Sequence, residues 1–138
     1  MGSKSSIRLP DGTEVVLNAG SKLTYDFSYG ITSREVSLIG EGYFKVAKQK
    51  NSPFIVKTAK AHIKALGTEF NVKAYPEENE VEAILVEGTI QVNKFDLKKR
   101  RIELSDSGII LKPGQKILIS DKDYSPKSKD QSQKGSPL

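Results

Sequence analysis

"LIGEGYFKV", Leu38 to Val46, is the stretch whose reading decides the fold. Gly40 and Gly42 bracket a single residue, as in a nucleotide-binding loop, with aromatics close behind. A phosphate loop needs a helix after its glycines, so that helix N–H groups and dipole face the anion. After Gly42 the chain instead reads "YFKVA", in which apolar and polar side chains alternate. A similar piece, "EGTIQV" (Glu87 to Val92), also leads into alternation. Neither begins a helix. Glycine ahead of a strand supports a bulge, a corner or a close backbone approach. The stretch therefore reads as the start of a β-strand, with Gly40 and Gly42 turning the chain and Phe44 and Val46 pointing inward.

The same period of two runs outward along the chain. "EFNVKAY" places Phe70, Val72 and Ala74 on one face, "TIQVN" does so with Ile90 and Val92, and "REVSL" with Val36 and Leu38. "TAKAHIKALG" (Thr58 to Gly67) alternates Ala61, Ile63 and Ala65 and is read as strand. The continuous apolar runs "PFIV" (Pro53 to Val56) and "AILV" (Ala83 to Val86) suit strands covered on both faces. Turn chemistry separates them. In "LPDGT" (Leu9 to Thr13), Pro10 presets φ, Asp11 caps and Gly12 accepts positive φ. Gly114 closes a similar turn in "LKPGQ" (Leu111 to Gln115). Roughly ten to twelve short strands and no helical stripe predict an all-β domain, either a sandwich or a short β-solenoid. The echo among "EGYFKV", "GTEFNV" and "EGTIQV", with its glycines at Gly42, Gly67 and Gly88, fits one solenoid coil per copy. Strands that each follow a glycine corner would give the same echo.

Composition bounds the rest. The chain has 138 residues, enough for one domain with a real core, and 36% of them are hydrophobic. Residues 1–5 read as linker or added residues, 6–120 as the β domain and 121–138 as a disordered tail. From Ser125 onward Pro, Ser, Lys, Gln and Gly dominate, and such composition does not offset its ordering entropy. No apolar run is long enough to span a membrane. With no cysteine and one histidine, His62, thiolate or histidine zinc sites of the usual kind are excluded. His62 lies opposite the Ala61/Ile63/Ala65 face and reads as a surface residue. The acidic group Glu77, Glu78, Glu80 and Glu82 lacks the alternation and glycine of a calcium loop. No nucleophile elbow is present. The reading is therefore of a non-enzyme, with no catalytic residue, metal or cofactor assigned. The net charge of +5 gathers mainly in "NKFDLKKRR" (Asn93 to Arg101), between strand-like segments, as a solvated hairpin loop and not a nucleic-acid surface.

Taken in order, these pieces resemble the FecR-type domain of bacterial transmembrane sigma-factor regulators. The matching residues are Leu9-Pro10-Asp11-Gly12-Thr13, Leu17-Asn18, and Arg34 to Val46 with Gly40-Glu41-Gly42 and Phe44. They continue through Pro53 to Val56, Leu66 to Val72, Glu87-Gly88, and Leu111 with Pro113-Gly114. The resemblance implies a periplasmic β domain of an inner-membrane protein, closer to the Bacteroidetes branch, and the domain is expected to be a monomer. In that family a cytoplasmic segment holds an extracytoplasmic-function sigma factor and one membrane helix precedes the domain. A further C-terminal domain meets the signalling domain of an outer-membrane TonB-dependent transporter, and regulated proteolysis releases the sigma factor. This chain is expected to be the central domain alone, without those flanking parts.

On this reading the motif residues Gly12, Gly40, Gly42, Phe44, Gly67, Phe70, Gly88 and Gly114 are architectural. A partner interface is expected on an exposed apolar edge formed by Ile109, Leu111, Ile117 and Ile119, nearest the missing domain. The rival is a carbohydrate- or ligand-binding domain: Tyr25, Phe27 and Tyr29 alternate before Gly30, so all three would share one strand face.

Overall fold

The structure, a computed structural model, describes residues 4–26, 28–30, 33–48, 52–96, 101–102, 109–120 and 124–128; residues 94–96, 101–102 and 124–128 are described by their backbone. The strands β1 (Ser5–Arg8), β2 (Glu14–Leu17), β3 (Lys22–Thr24) and β4 (Arg34–Lys45) come first. β5 (Phe54–Lys57), β6 (Ala61–Ala65), β7 (Glu69–Ala74) and β8 (Glu80–Glu87) come next. The chain continues through β9 (Ile90–Asp96), β10 (Arg101–Ile102), β11 (Ile109–Leu111), β12 (Gln115–Ser120) and β13 (Tyr124–Ser128). The all-β expectation holds, with thirteen strands among the described residues. Among those residues no helix is long and apolar enough to cross a membrane.

The strands join into one hydrogen-bonded network that folds into two layers, so the sandwich is the alternative realised. One layer runs β1, β2, the second half of β4, β7, β8, β12, β13. The other runs β3, the first half of β4, β5, β6, β9, with β10 and β11 end to end beyond β9. All pairs are antiparallel except β4 with β5. Alternation then does its ordinary work: inward residues of both layers form one core. At its centre Phe44 stacks on Phe70 (centroids 5.2 Å apart, 16° between planes) and meets Phe54 of the other layer at 5.7 Å.

β4 couples the layers. Residues 34–39 lie between β3 and β5, and residues 40–45 lie between β2 and β7. The chain changes layer at Gly40, whose φ is +103°. A Cβ there would stand 2.3 Å from Ser21 Oγ and 2.7 Å from Ser21 Cα, so close approach as well as φ requires glycine. Alternation passes through the bend unbroken, with Val36, Leu38, Gly40, Gly42 and Phe44 all buried. This corrects the sequence reading: the glycine pair does not begin a strand but sits inside a twelve-residue one. Gly42 has no left-handed φ; a Cβ there would crowd the Phe44 ring at 3.1 Å and Leu17 at 3.3 Å.

The other passages between layers coincide with positive-φ glycines as well: Gly20 from β2 to β3, Gly67 from β6 to β7, Gly88 from β8 to β9 and Gly114 from β11 to β12. The exception is β4 to β5. Two copies of the sequence echo, those at Gly67 and Gly88, thus mark such corners, while the third, at Gly42, lies two residues past the crossing at Gly40. Two further expectations are corrected. "PFIV" and "AILV" are not covered on both faces, since Ile55 and Ile84 are half-buried and Val86 is 48% exposed. Val86 is the extra residue of a bulge: Phe70 opposes Leu85, while Glu69 opposes Glu87. Within the tail, composition does not keep Tyr124–Ser128 from pairing with β12; positions 121–123 and 129–138 lie outside the described residues.

Candidate functional site

The β1–β2 hairpin builds the most constrained polar site. Asp11 caps its own turn, accepting from Thr13 N (3.1 Å) and Thr13 Oγ1 (2.9 Å). The same carboxylate accepts from Tyr29 Oη at 3.1 Å and from Arg34 Nη1 at 2.9 Å. Arg34, the first residue of β4, is in phase with Val36 and Leu38 and therefore points into the core. Its side chain is fully buried and that of Asp11 nearly so (0% and 3% exposed), a pair that needs every remaining donor satisfied. Each guanidinium nitrogen has an acceptor: Nη1 also donates to Ala47 O (2.7 Å), Nε to Ser52 O (2.8 Å), and Nη2 to Ser52 O. Thr13 Oγ1 accepts from Ala47 N at 3.1 Å. One ion pair therefore ties the first hairpin, the Tyr29 segment, β4 and the residues on either side of positions 49–51. Burial pushes the Asp11 carboxyl up, but Arg34 and the Thr13 and Tyr29 hydrogen bonds outweigh it and hold it below its ordinary value. Burial and the neighbouring Asp11 push the Tyr29 phenol well above the usual range.

A second network surrounds Glu41 on the outer face of the first layer. Asn18 Nδ2 donates to Oε1 (2.7 Å) and Asn71 Nδ2 to Oε2 (2.9 Å), while the Glu41 N–H donates to Ser21 Oγ (2.8 Å). The bend at Gly40 is thereby fixed on both sides. Beside it Tyr43 donates to Glu69; burial and then that carboxylate push the phenol up to about 12.

A half-open cleft of about 240 Å³ lies on the outer face of the second layer. Glu35, Ser37 and Lys57 form its floor, and Thr24, Tyr25 and Asp26 one wall. Lys57 and Glu35 make an ion pair of 2.7 Å there. Among the described residues no group of three or more acidic or histidine side chains could hold a metal ion.

The residues singled out in the sequence fall at several separate places in the fold. Phe44 and Phe70 are in the core and fully buried. Gly12, Gly67, Gly88 and Gly114 occupy positive-φ turns or corners. The proposed apolar edge is corrected: Leu111, Ile117 and Ile119 belong to the domain's own core and Ile109 is partly buried against it. β11 and β12 turn those side chains inward, and β13 lies along β12. Tyr25 and Tyr29 do not share a strand face: Tyr25 is 40% exposed while Tyr29 is 5% exposed and bound to Asp11. Phe27 lies outside the described residues, as do Lys98 to Arg100; Arg101 opens β10. His62 is half-buried on the outer face of β6, and burial followed by Lys57 pulls its pKa down. Arg34 was missed by sequence reasoning. Its signal was an arginine in register with an apolar face, a position that demands a buried partner.

None of the curated proteins compared with this chain matches it. Two crystal structures, at 1.65 and 2.50 Å resolution, of a candidate anti-sigma factor from Parabacteroides distasonis ATCC 8503 are similar to it. Each is 32% identical with a TM-score of 0.79, over 94% of this chain and 57% of the other. The chain thus spans little more than half the length of that protein. The family model for the FecR protein matches residues 1–91, which include the LPDGT hairpin, the β4 crossing and the corners at Gly67 and Gly88. The chain belongs to the FecR family.

Proposed function

We propose that this chain is the central, periplasmic domain of a transmembrane anti-sigma factor, and that it acts without catalysis as a protein-interaction module. In this role it relays a signal from an outer-membrane TonB-dependent transporter toward an extracytoplasmic-function sigma factor. The observation that carries the reading is the 32% identity, over 94% of this chain, to the candidate anti-sigma factor from Parabacteroides distasonis. The two polar networks support it. Asp11 and Arg34 in the interior, and Glu41 and Asn71 on the outer face of the first layer, are committed to hydrogen bonds that lock strands together. A relay of this kind needs a stiff body between two contacts, and both networks stiffen the β4 crossing.

The test is a transcriptional reporter for the cognate sigma factor in cells carrying the intact regulator. Replacing residues 6–120 by a flexible linker of similar reach should abolish the induced response. A regulator that still answers its inducer with the linker in place would refute the relay role.

A further inference from the structure

We infer that the cleft beside Tyr25 binds a single neutral sugar ring. The proposal is independent of the relay role and rests on what lines the cleft. At about 240 Å³ it is smaller than the roughly 300–1,000 Å³ of sites for drug-sized ligands, and so suits one ring. Its wall carries one exposed aromatic plate. Tyr25 is 40% exposed, yet it is held by an edge-to-face contact with Tyr29 at 5.5 Å and 63°. Tyr29 is itself buried and bonded to Asp11. An edge-to-face contact covers at most one face of a ring, so Tyr25 is positioned in advance and still available for stacking.

The polar groups select the ligand class. Both Ser28 bonds to Asp26, from N (3.1 Å) and Oγ (2.6 Å), go to Oδ1, and neither occupies Oδ2. Those bonds also keep the carboxyl ionised by lowering its pKa. The floor offers the Glu35 carboxylate, the Lys57 ammonium and the Ser37 hydroxyl; Lys57 and Glu35 remain 41% and 38% exposed. Thr24 and Ser33 add hydroxyls. Two carboxylates against one ammonium repel an anion, and an apolar molecule would strand all of these groups. A neutral polyol meets the requirement, because each hydroxyl both donates to a carboxylate and accepts from an ammonium.

The experiment is an amide NMR titration of the labelled domain with methyl β-glucoside, methyl β-galactoside and N-acetylglucosamine, with glucuronate as the charged counterpart. A single ring should bind at least one of the three neutral sugars in the range of about 1–10 mM. It should move the amides of Thr24 to Asp26, Glu35, Ser37 and Lys57. Tyr25→Ala should weaken that binding about tenfold and Tyr25→Phe should retain it, since stacking needs the ring and not its hydroxyl. Glucuronate should move the same amides less. The proposal is overturned if no neutral sugar moves these amides, if Tyr25→Ala titrates like the parent, or if glucuronate binds as well.

Discussion

Arg34 and Asp11 show how one pair of side chains constrains distant segments. The pair is buried and hydrogen-bonded on both sides, so removing one partner leaves an uncompensated charge. Arg34→Ala should therefore cost about 3–5 kcal/mol in urea unfolding. The paired replacement Asp11→Asn with Arg34→Met should cost clearly less than the two single changes summed, because it strands no charge. Additive losses would mean that the pair is not coupled. The pH dependence stems from the Asp11 shift, which lies below the ordinary 3.8. A group whose folded pKa is depressed stabilises the fold above its unfolded pKa, and the contribution fades as pH falls through the folded value. Stability should thus decline below about pH 4, and Asp11→Asn should flatten that part of the melting-temperature profile. Glycines offer a second residue-scale test. Gly20 (φ +78°) has open space around it, so Gly20→Ala should cost only the left-handed backbone penalty of about 1–2 kcal/mol. Gly40→Ala adds a collision with Ser21 and should exceed that by a further 1–3 kcal/mol or so. Equal losses in chemical denaturation would remove the close-approach argument.

At the scale of the element, β4 carries the architecture, since it pairs with β2, β3, β5 and β7. Phe44 sits where its second half faces both Phe70 and Phe54. Phe44→Ala should lower stability by about 3–5 kcal/mol, and a thermal melt within a degree or two of the parent would contradict its place in the core. How much of this element could be read beforehand depends on what each signal encodes. Alternation encodes which residues face inward, and Val36, Leu38, Phe44, Phe70, Val72 and Val92 were legible for that reason. The bend at Gly40 was legible as a corner but not as a crossing. Its neighbour Ser21 and its two sheets come from non-local pairing that no window of sequence contains. The same limit explains Ile117 and Ile119: a strand near a chain end has the same alternating pattern whether its apolar face meets a partner or its own core. The wall of the cleft was half legible. Tyr25 and Tyr29 stood out as aromatics, but assigning them one strand face required a strand that the chain does not form there. The floor was not legible, because Glu35 and Lys57 stand on different strands and meet only through the parallel pairing of β4 with β5.

For the molecule as a whole, the crossing makes the two layers a single cooperative unit. Neither layer can lose its strands without freeing half of β4, and freeing half of β4 exposes Phe44 or Leu38 and opens the Arg34–Asp11 pair. The repeated passages at Gly20, Gly67, Gly88 and Gly114 bind the layers again at other points, so a half-melted state would keep few of its inward contacts. This predicts two-state unfolding. Amide NMR signals from β7 and β8 in one layer and from β5, β6 and β9 in the other should lose intensity at the same urea midpoint. Far-UV circular dichroism should report that midpoint too. Two separated midpoints, one for each layer, would show that β4 joins the layers without coupling them, and a body able to melt in halves could not carry a mechanical signal across its length.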